Sequence, residues 1–252
     1  MPEDLSPDTD TDIAIAKRDL AAAYRLIAHF GMDDGIYTHI SMRIGHDRFL
    51  LNPFGLSFDE IRASNLVTID HEGAIVDDPY GHGVNAAGFT IHSAVHIARP
   101  DTACVAHTHT VAGVAVSCQE EGLLPLNQWA LQFYNRTAFH DYEGIALDLS
   151  ERERLVADLG QMNTMILRNH GMLTCGETVA AATKLMLNLE RACQAQVAAL
   201  SGGVEIRWPS PEICERTAQQ YEGAGSVTEE KIDHQWLAYL RLLDRVAPDY
   251  KD

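Results

Sequence analysis

The sequence predicts an α/β protein with a central, mostly antiparallel sheet flanked by helices. Three observations carry this expectation. Short β-leaning runs and helical patterns are mixed along the chain, without the regular strand–helix alternation of a doubly wound sheet. Between Ile13 and Phe30 the apolar residues Ile13, Leu20, Tyr24, Ile27 and Ala28 keep helical spacing. The run Thr102-Ala103-Cys104-Val105-Ala106 is apolar and β-leaning, and it leads directly into His107-Thr108-His109.

Taken in order, the first helix ends at Gly31, and β-leaning runs follow at Ile36 to Ile44, Arg48 to Asn52 and Leu66 to Asp70. His71-Glu72-Gly73 reads as a turn into Ala74-Ile75-Val76. Tyr80 to Gly88 is a loop with three glycines. A helix over Phe89 to Ala98 is closed by Arg99-Pro100, because the residue before proline resists helical geometry. The strand into His109 and a helix from Val111 to Gln119 come next, then a mixed segment from Leu126 to Tyr134 and a helix from Ser150 to Gly160. Strands at Thr164 to Leu167 and Met172 to Cys175 flank Asn169-His170-Gly171. The longest helix spans Glu177 to Leu200 and ends at Gly202-Gly203. A linker through Pro209 and Pro211 leads to two C-terminal helices. The expected organisation is a disordered acidic tail over 1–12 and one domain over 13–252.

An apolar fraction of 46% in 252 residues is ample for a closed core. The formal net charge of -17 argues against nucleic acid and anionic membrane as partners, since both are bound through basic surfaces. Cys104, Cys118, Cys175, Cys193 and Cys214 form no CxxC pair and read as reduced thiols of a cytoplasmic protein. No signal peptide is expected at the start, and no apolar run approaches the length of a membrane span.

His107 and His109, read with His170, are the strongest functional signal. On a strand, residues i and i+2 share a face about 6.6 Å apart, so two imidazoles converge on one ion. A third from a distant loop completes a three-nitrogen site with open positions, as catalytic metals require. The alternative is a pair of edge histidines and a turn-capping His170.

Six motifs recur in a familiar order: Tyr37-Thr38-His39-Ile40-Ser41, Leu51-Asn52-Pro53-Phe54-Gly55-Leu56, Ala87-Gly88-Phe89-Thr90-Ile91-His92, Ala106-His107-Thr108-His109-Thr110, His140-Asp141-Tyr142-Glu143-Gly144 and Leu167-Arg168-Asn169-His170-Gly171. Together they resemble the class II aldolase/adducin family over about residues 15 to 245, closer to the adducin-head-like branch than to the sugar-phosphate aldolases. The resemblance implies a three-layer αβα sandwich and a homotetramer with active sites at subunit interfaces. It also implies a divalent metal on His107, His109 and His170, zinc first, with Fe(II) or Mn as alternatives.

The departures from the family pattern are informative. The aldolase glutamate that serves as acid/base aligns with Gly88, which has no side chain to move a proton. The small hydroxyl residues that bind phosphate align with Ala86 and Ala87, and an asparagine of the phosphate loop aligns with His39. In the dehydratase branch an acid follows a glutamine segment, whereas here Gln128 is followed by Trp129. These changes point away from a standard sugar-phosphate aldolase.

Candidate catalytic groups are His92, one turn beyond Gly88 on the same helix, and Tyr134; each is otherwise a core residue. His39, Phe54, Gln128 and Trp129 are candidate substrate contacts, and Phe54 with Trp129 suggests an apolar pocket. His140 and Tyr142 fall in a pocket-forming segment, His82 near the rim, and Arg168 beside the metal loop, where it would pair with a carboxylate. His96 reads as structural, and Glu151, Glu153, Glu229 and Glu230 as solvated helix starts.

Three functions follow. The first is a metal-dependent lyase, cleaving or decarboxylating a non-phosphorylated oxo or hydroxy acid, with aromatic acids among the candidates. The second is a non-haem Fe(II) oxygenase acting on an aromatic 2-oxo or hydroxy acid, since imidazole serves iron as well as zinc. The third is a non-catalytic adducin-like assembly domain.

Overall fold

Thr9 opens the first helix, α1 (Asp10–His29), by accepting the Asp12 N–H on its side chain. A computed structural model describes residues 7–145, 148–225 and 233–252. Asp10 to Asp12 are therefore helical, which shortens the tail expected over 1–12; residues 1–6 of that tail lie outside the described residues, as do Glu229 and Glu230.

Eight strands form one sheet. They are β1 (His39–Ile44), β2 (Arg48–Leu51), β3 (Val67–Asp70), β4 (Ile75–Asp77), β5 (Cys104–Thr108), β6 (Ala138–His140), β7 (Thr164–Leu167) and β8 (Gly171–Gly176). Their spatial order is β4-β3-β2-β1-β5-β8-β7-β6. Every pair is antiparallel except β6 with β7, which run parallel. The sheet is thus mostly antiparallel, as expected, with its one parallel pair at the β6 edge. Three residues are too short a run for β6 to show a period, and it escapes a reading based on alternation.

Strand alternation divides two helical layers. On β1, Ile40, Met42 and Ile44 enter the larger core with α1 and with α6 (Val179–Ser201). His39 and Ser41 face the opposite way, towards α2 (Ala86–Ala98), where they bond to His92 and His96. The same division holds on β5, where Ala106 joins the α1 and α6 side. Val105 packs instead with Ile91 and Val95 of α2 and Leu155 of α5 (Glu151–Leu159). Helix α3 (Val111–Ser117), the short α4 (Gln128–Leu131) and α8 (His234–Val246) lie on the α6 side, and α7 (Pro211–Gly225) packs on α4. The result is the three-layer αβα arrangement that the motifs imply. Among the described residues, no helix is long and apolar enough to cross a membrane.

β1 and β5 pair at the centre of the sheet, in the register His39↔His107. That pairing brings residues far apart in sequence onto the same face at one strand end.

Candidate metal centre

His107 occupies the penultimate position of β5, and His109 lies one residue past its end. His170 comes from the turn between β7 and β8, where Asn169 takes a left-handed conformation with φ 55°, a geometry to which asparagine is better suited than most residues. Gly171 lets that turn close. A Cβ there would lie 2.4 Å from the Thr108 carbonyl oxygen, so only glycine permits β8 to run this near β5.

The three imidazoles converge. His107 Nε2 lies 2.7 Å from His109 Nε2, which is 3.0 Å from His170 Nε2. One nitrogen from each lies within 4.8 Å of the others. The remaining ring nitrogens fix which lone pairs face inward. His107 Nδ1–H donates to the Met172 carbonyl at 2.9 Å, and His109 Nδ1–H donates to the Asp34 carboxylate at 3.0 Å. Both rings thus present Nε2 as a lone pair, the arrangement that outer partners impose on metal-binding histidines. Burial pushes His107 well below the usual histidine range, and burial with the neighbouring His109 and His140 lowers His170 to about 4. Lone pairs at these separations repel each other unless a cation sits among them. The donor set therefore fits a divalent ion.

The triad forms part of a cavity of about 380 Å³. Its polar lining is completed by His39, Asn85 and Asp34, and its apolar walls come from Tyr37, Phe54, Ile91, Tyr142 and Ile145. No lysine or arginine lines it among the described residues.

Of the candidate substrate contacts, His39 and Phe54 line this cavity. Gln128 does not; it lies in a separate groove of about 490 Å³ between α4 and α7. Trp129, 46% exposed, and the half-buried Tyr134 also lie outside the cavity, so within one chain these three are corrected away from the triad. The physical reason is that α4 is recruited to α6 and α7, on the layer opposite α2. His92 is fully buried and does not line the cavity; it lies behind His39. His140 is buried between Asp158, at 2.7 Å, and Glu151, at 3.5 Å. His82 is exposed, and Arg168 donates to the carbonyls of Gln119 and Glu120 and stacks on Phe139, not on a carboxylate. Tyr142 does reach the cavity, 6.2 Å from the His170 ring. Asp34 escaped the sequence reading. Its only signal is the pair Asp33-Asp34 before Gly35, which becomes meaningful once the loop after α1 closes over His109.

The model of the class II aldolase and adducin N-terminal domain matches residues 18–197. The chain belongs to this family. Among solved structures, an aldolase II superfamily protein from Pseudomonas syringae shares 49% identity at a TM-score of 0.89, with 100% of this chain and 97% of that one covered. L-fuculose 1-phosphate aldolase from Glaciozyma antarctica is 27% identical at a TM-score of 0.83, covering 98% of each chain. Alpha-adducin of Rattus norvegicus is 45% identical over 186 residues, which are 72% of this chain and 25% of adducin. The class II aldolase and adducin fold thus carries, in this chain, three convergent imidazoles and no acid at position 88.

Proposed function

We propose that this class II aldolase family member is a divalent-metal-dependent carbon–carbon lyase acting on a non-phosphorylated oxo or hydroxy acid. The observation that carries the reading is the convergence of three imidazoles on one side of an apolar-walled cavity. Zinc is the first expectation for the ion, with Mn and Fe(II) as alternatives. A metal held there would supply Lewis-acid polarisation of adjacent substrate oxygens.

The chain's own residues do the rest. Asp34 orients His109, and the Met172 carbonyl orients His107. Phe54, Ile91 and Tyr142 shield the reacting carbons from water and favour an apolar or aromatic body. The L-fuculose 1-phosphate aldolase to which this chain is similar acts on a phosphorylated sugar by its name, whereas a phosphate dianion would find no lysine or arginine in this cavity among the described residues. Decarboxylation suits a site without an acid at position 88, because loss of CO₂ leaves a carbanion without a base to generate it.

Exposed apolar residues, Ile145 on the cavity wall at 74% and Val111 at the start of α3 at 89%, support a homotetramer that covers them. Gln128, Trp129 and Tyr134 take their expected roles only if a neighbouring copy carries them to the cavity. Five free thiols support a reducing, cytoplasmic setting.

Metal analysis of untagged protein purified without chelator tests this reading, with a parallel anaerobic preparation and a screen of oxo and hydroxy acids. About one zinc or manganese per subunit, lost in His107→Ala and His170→Ala together with lyase turnover, is the expected result. Iron with oxygen uptake on aromatic 2-oxo acids would replace it by the oxygenase, which the three-imidazole set also suits. Failure to bind any metal after reconstitution would leave an assembly role like that of the adducin branch.

A further inference from the structure

Helix α2 passes β1 so closely at Gly88 that a Cβ there would lie 2.6 Å from Cδ2 and 2.9 Å from Cγ of the His39 ring. Nonbonded carbons do not approach so near. An imidazole at 39 and any side chain at 88 therefore exclude one another in this backbone. His39 occupies the space into which an acid at position 88 would project.

The ring is gripped from behind. His39 Nδ1 lies 2.7 Å from His92 Nε2, His92 Nδ1 bonds to the Ser41 hydroxyl, and that hydroxyl lies 2.7 Å from His96 Nε2. The Arg43 guanidinium donates to the His96 carbonyl. His39, Ser41, His92 and His96 are all buried, and burial holds His92 and His96 well below the usual histidine range. With both of its nitrogens linked, a neutral His92 donates across one link and accepts across the other. Nδ1 of His39 is committed to its link with His92. Nε2 meets no hydrogen-bond partner among the described residues and is the nitrogen left for the cavity, with the His107 ring 5.1 Å away centre to centre.

We infer that His39 is the polar group that receives the substrate in place of an acid at position 88, and that His92, Ser41 and His96 are its positioning residues. The inference rests on the lyase reading above and narrows its substrate class. A single imidazole nitrogen beside the triad, in a cavity with apolar walls, suits a hydroxyl, oxo or single carboxylate oxygen on an apolar body.

The test is a double-mutant cycle on Gly88→Ala and His39→Ala, with Ser41→Ala as a separate variant. Three readouts are used: the thermal midpoint of metal-free protein, zinc content after loading, and affinity of the zinc-loaded protein for phenylglyoxylate as the probe. In the wild-type background Gly88→Ala should lower the midpoint by about 2–8 °C, the effect of crowding one methyl into a packed site. In the His39→Ala background the same change should cost under about 1 °C. His39→Ala should weaken the probe about tenfold, the loss of one hydrogen bond, at unchanged zinc content. Ser41→Ala should also weaken the probe and should shift the His39 ring nitrogens in a histidine-labelled ¹⁵N spectrum, a change that a purely structural role would not produce.

An equal cost of Gly88→Ala in both backgrounds overturns the pairing. Loss of zinc in His39→Ala makes His39 a ligand and overturns the inference. Probe affinity that survives His39→Ala unchanged also overturns it, while leaving the lyase reading intact. Failure of zinc-loaded wild type to bind the probe, or any of the screened oxo and hydroxy acids, overturns both.

Discussion

At residue 24 a single hydroxyl ties three segments together. The Tyr24 oxygen accepts the N–H groups of Ile40, at 2.8 Å, and Asn52, at 3.1 Å, and lies 2.9 Å from the Asn52 side-chain oxygen. It is fully buried, and burial raises its pKa far above the ordinary phenol value. Tyr24→Phe keeps the ring against Phe58 but strands two backbone donors. Its expected cost is about 1–3 kcal/mol, the penalty for unpaired buried polar groups, read as a shift in the urea midpoint at unchanged slope. A midpoint that stays in place would mean that these donors find other partners. The residue scale also shows where sequence reading stops. His107, His109 and His170 were legible because the i, i+2 spacing and the motif order both point to them. The contact of His39 with Gly88 was not legible, since nothing local to either residue tells how closely a helix will cross a strand.

The elements that make the triad are β5 and β8, and their closeness depends on Gly171. Gly171→Ala sets a methyl against the Thr108 carbonyl at 2.4 Å, so the backbone of β8 or β5 must shift. The expected outcome is a loss of about 1–3 kcal/mol in stability and a fall in metal retention, because the turn carrying His170 moves with β8. Retention equal to wild type would show that the triad tolerates a looser sheet centre. Most elements were legible for a physical reason. α1 and α6 are long enough for a helical period to emerge, and the central strands are bounded by glycines and turn residues. β6 was missed because three residues show no alternation, and Gln128 and Trp129 were placed in the pocket because a four-residue helix says nothing of which layer it joins. Asp34 was missed because its meaning comes from loop closure, not from a motif.

Across the whole molecule, neutral buried histidines make stability depend on pH in a defined direction. His39, His92, His96 and His107 all titrate well below the ordinary value of 6.5 when folded. Below that value the unfolded chain binds protons that the folded chain refuses. Stability is thus complete above pH 6.5 and falls as the solution is acidified towards the folded values. Each such histidine contributes about 1.4 kcal/mol per pH unit within that window. Urea titrations of metal-free protein between pH 7.5 and 5 should show the decline, and His96→Gln should flatten it. A curve level over this range would contradict the burial of these rings. Loading the metal should raise the thermal midpoint with the logarithm of free metal concentration over its dissociation constant, and chelator should reverse that gain.

The mutual exclusion of residues 39 and 88 also bears on descent. A lineage that carried glutamate at 88 could not admit histidine at 39 first, because the two would contend for one volume. Glycine at 88 had to come earlier, leaving an interval with neither group in place. The way back is barred in the same fashion: glutamate cannot return until residue 39 has shrunk again. The pair works as a ratchet, in which two individually tolerable arrangements are separated by one that has neither side chain in place.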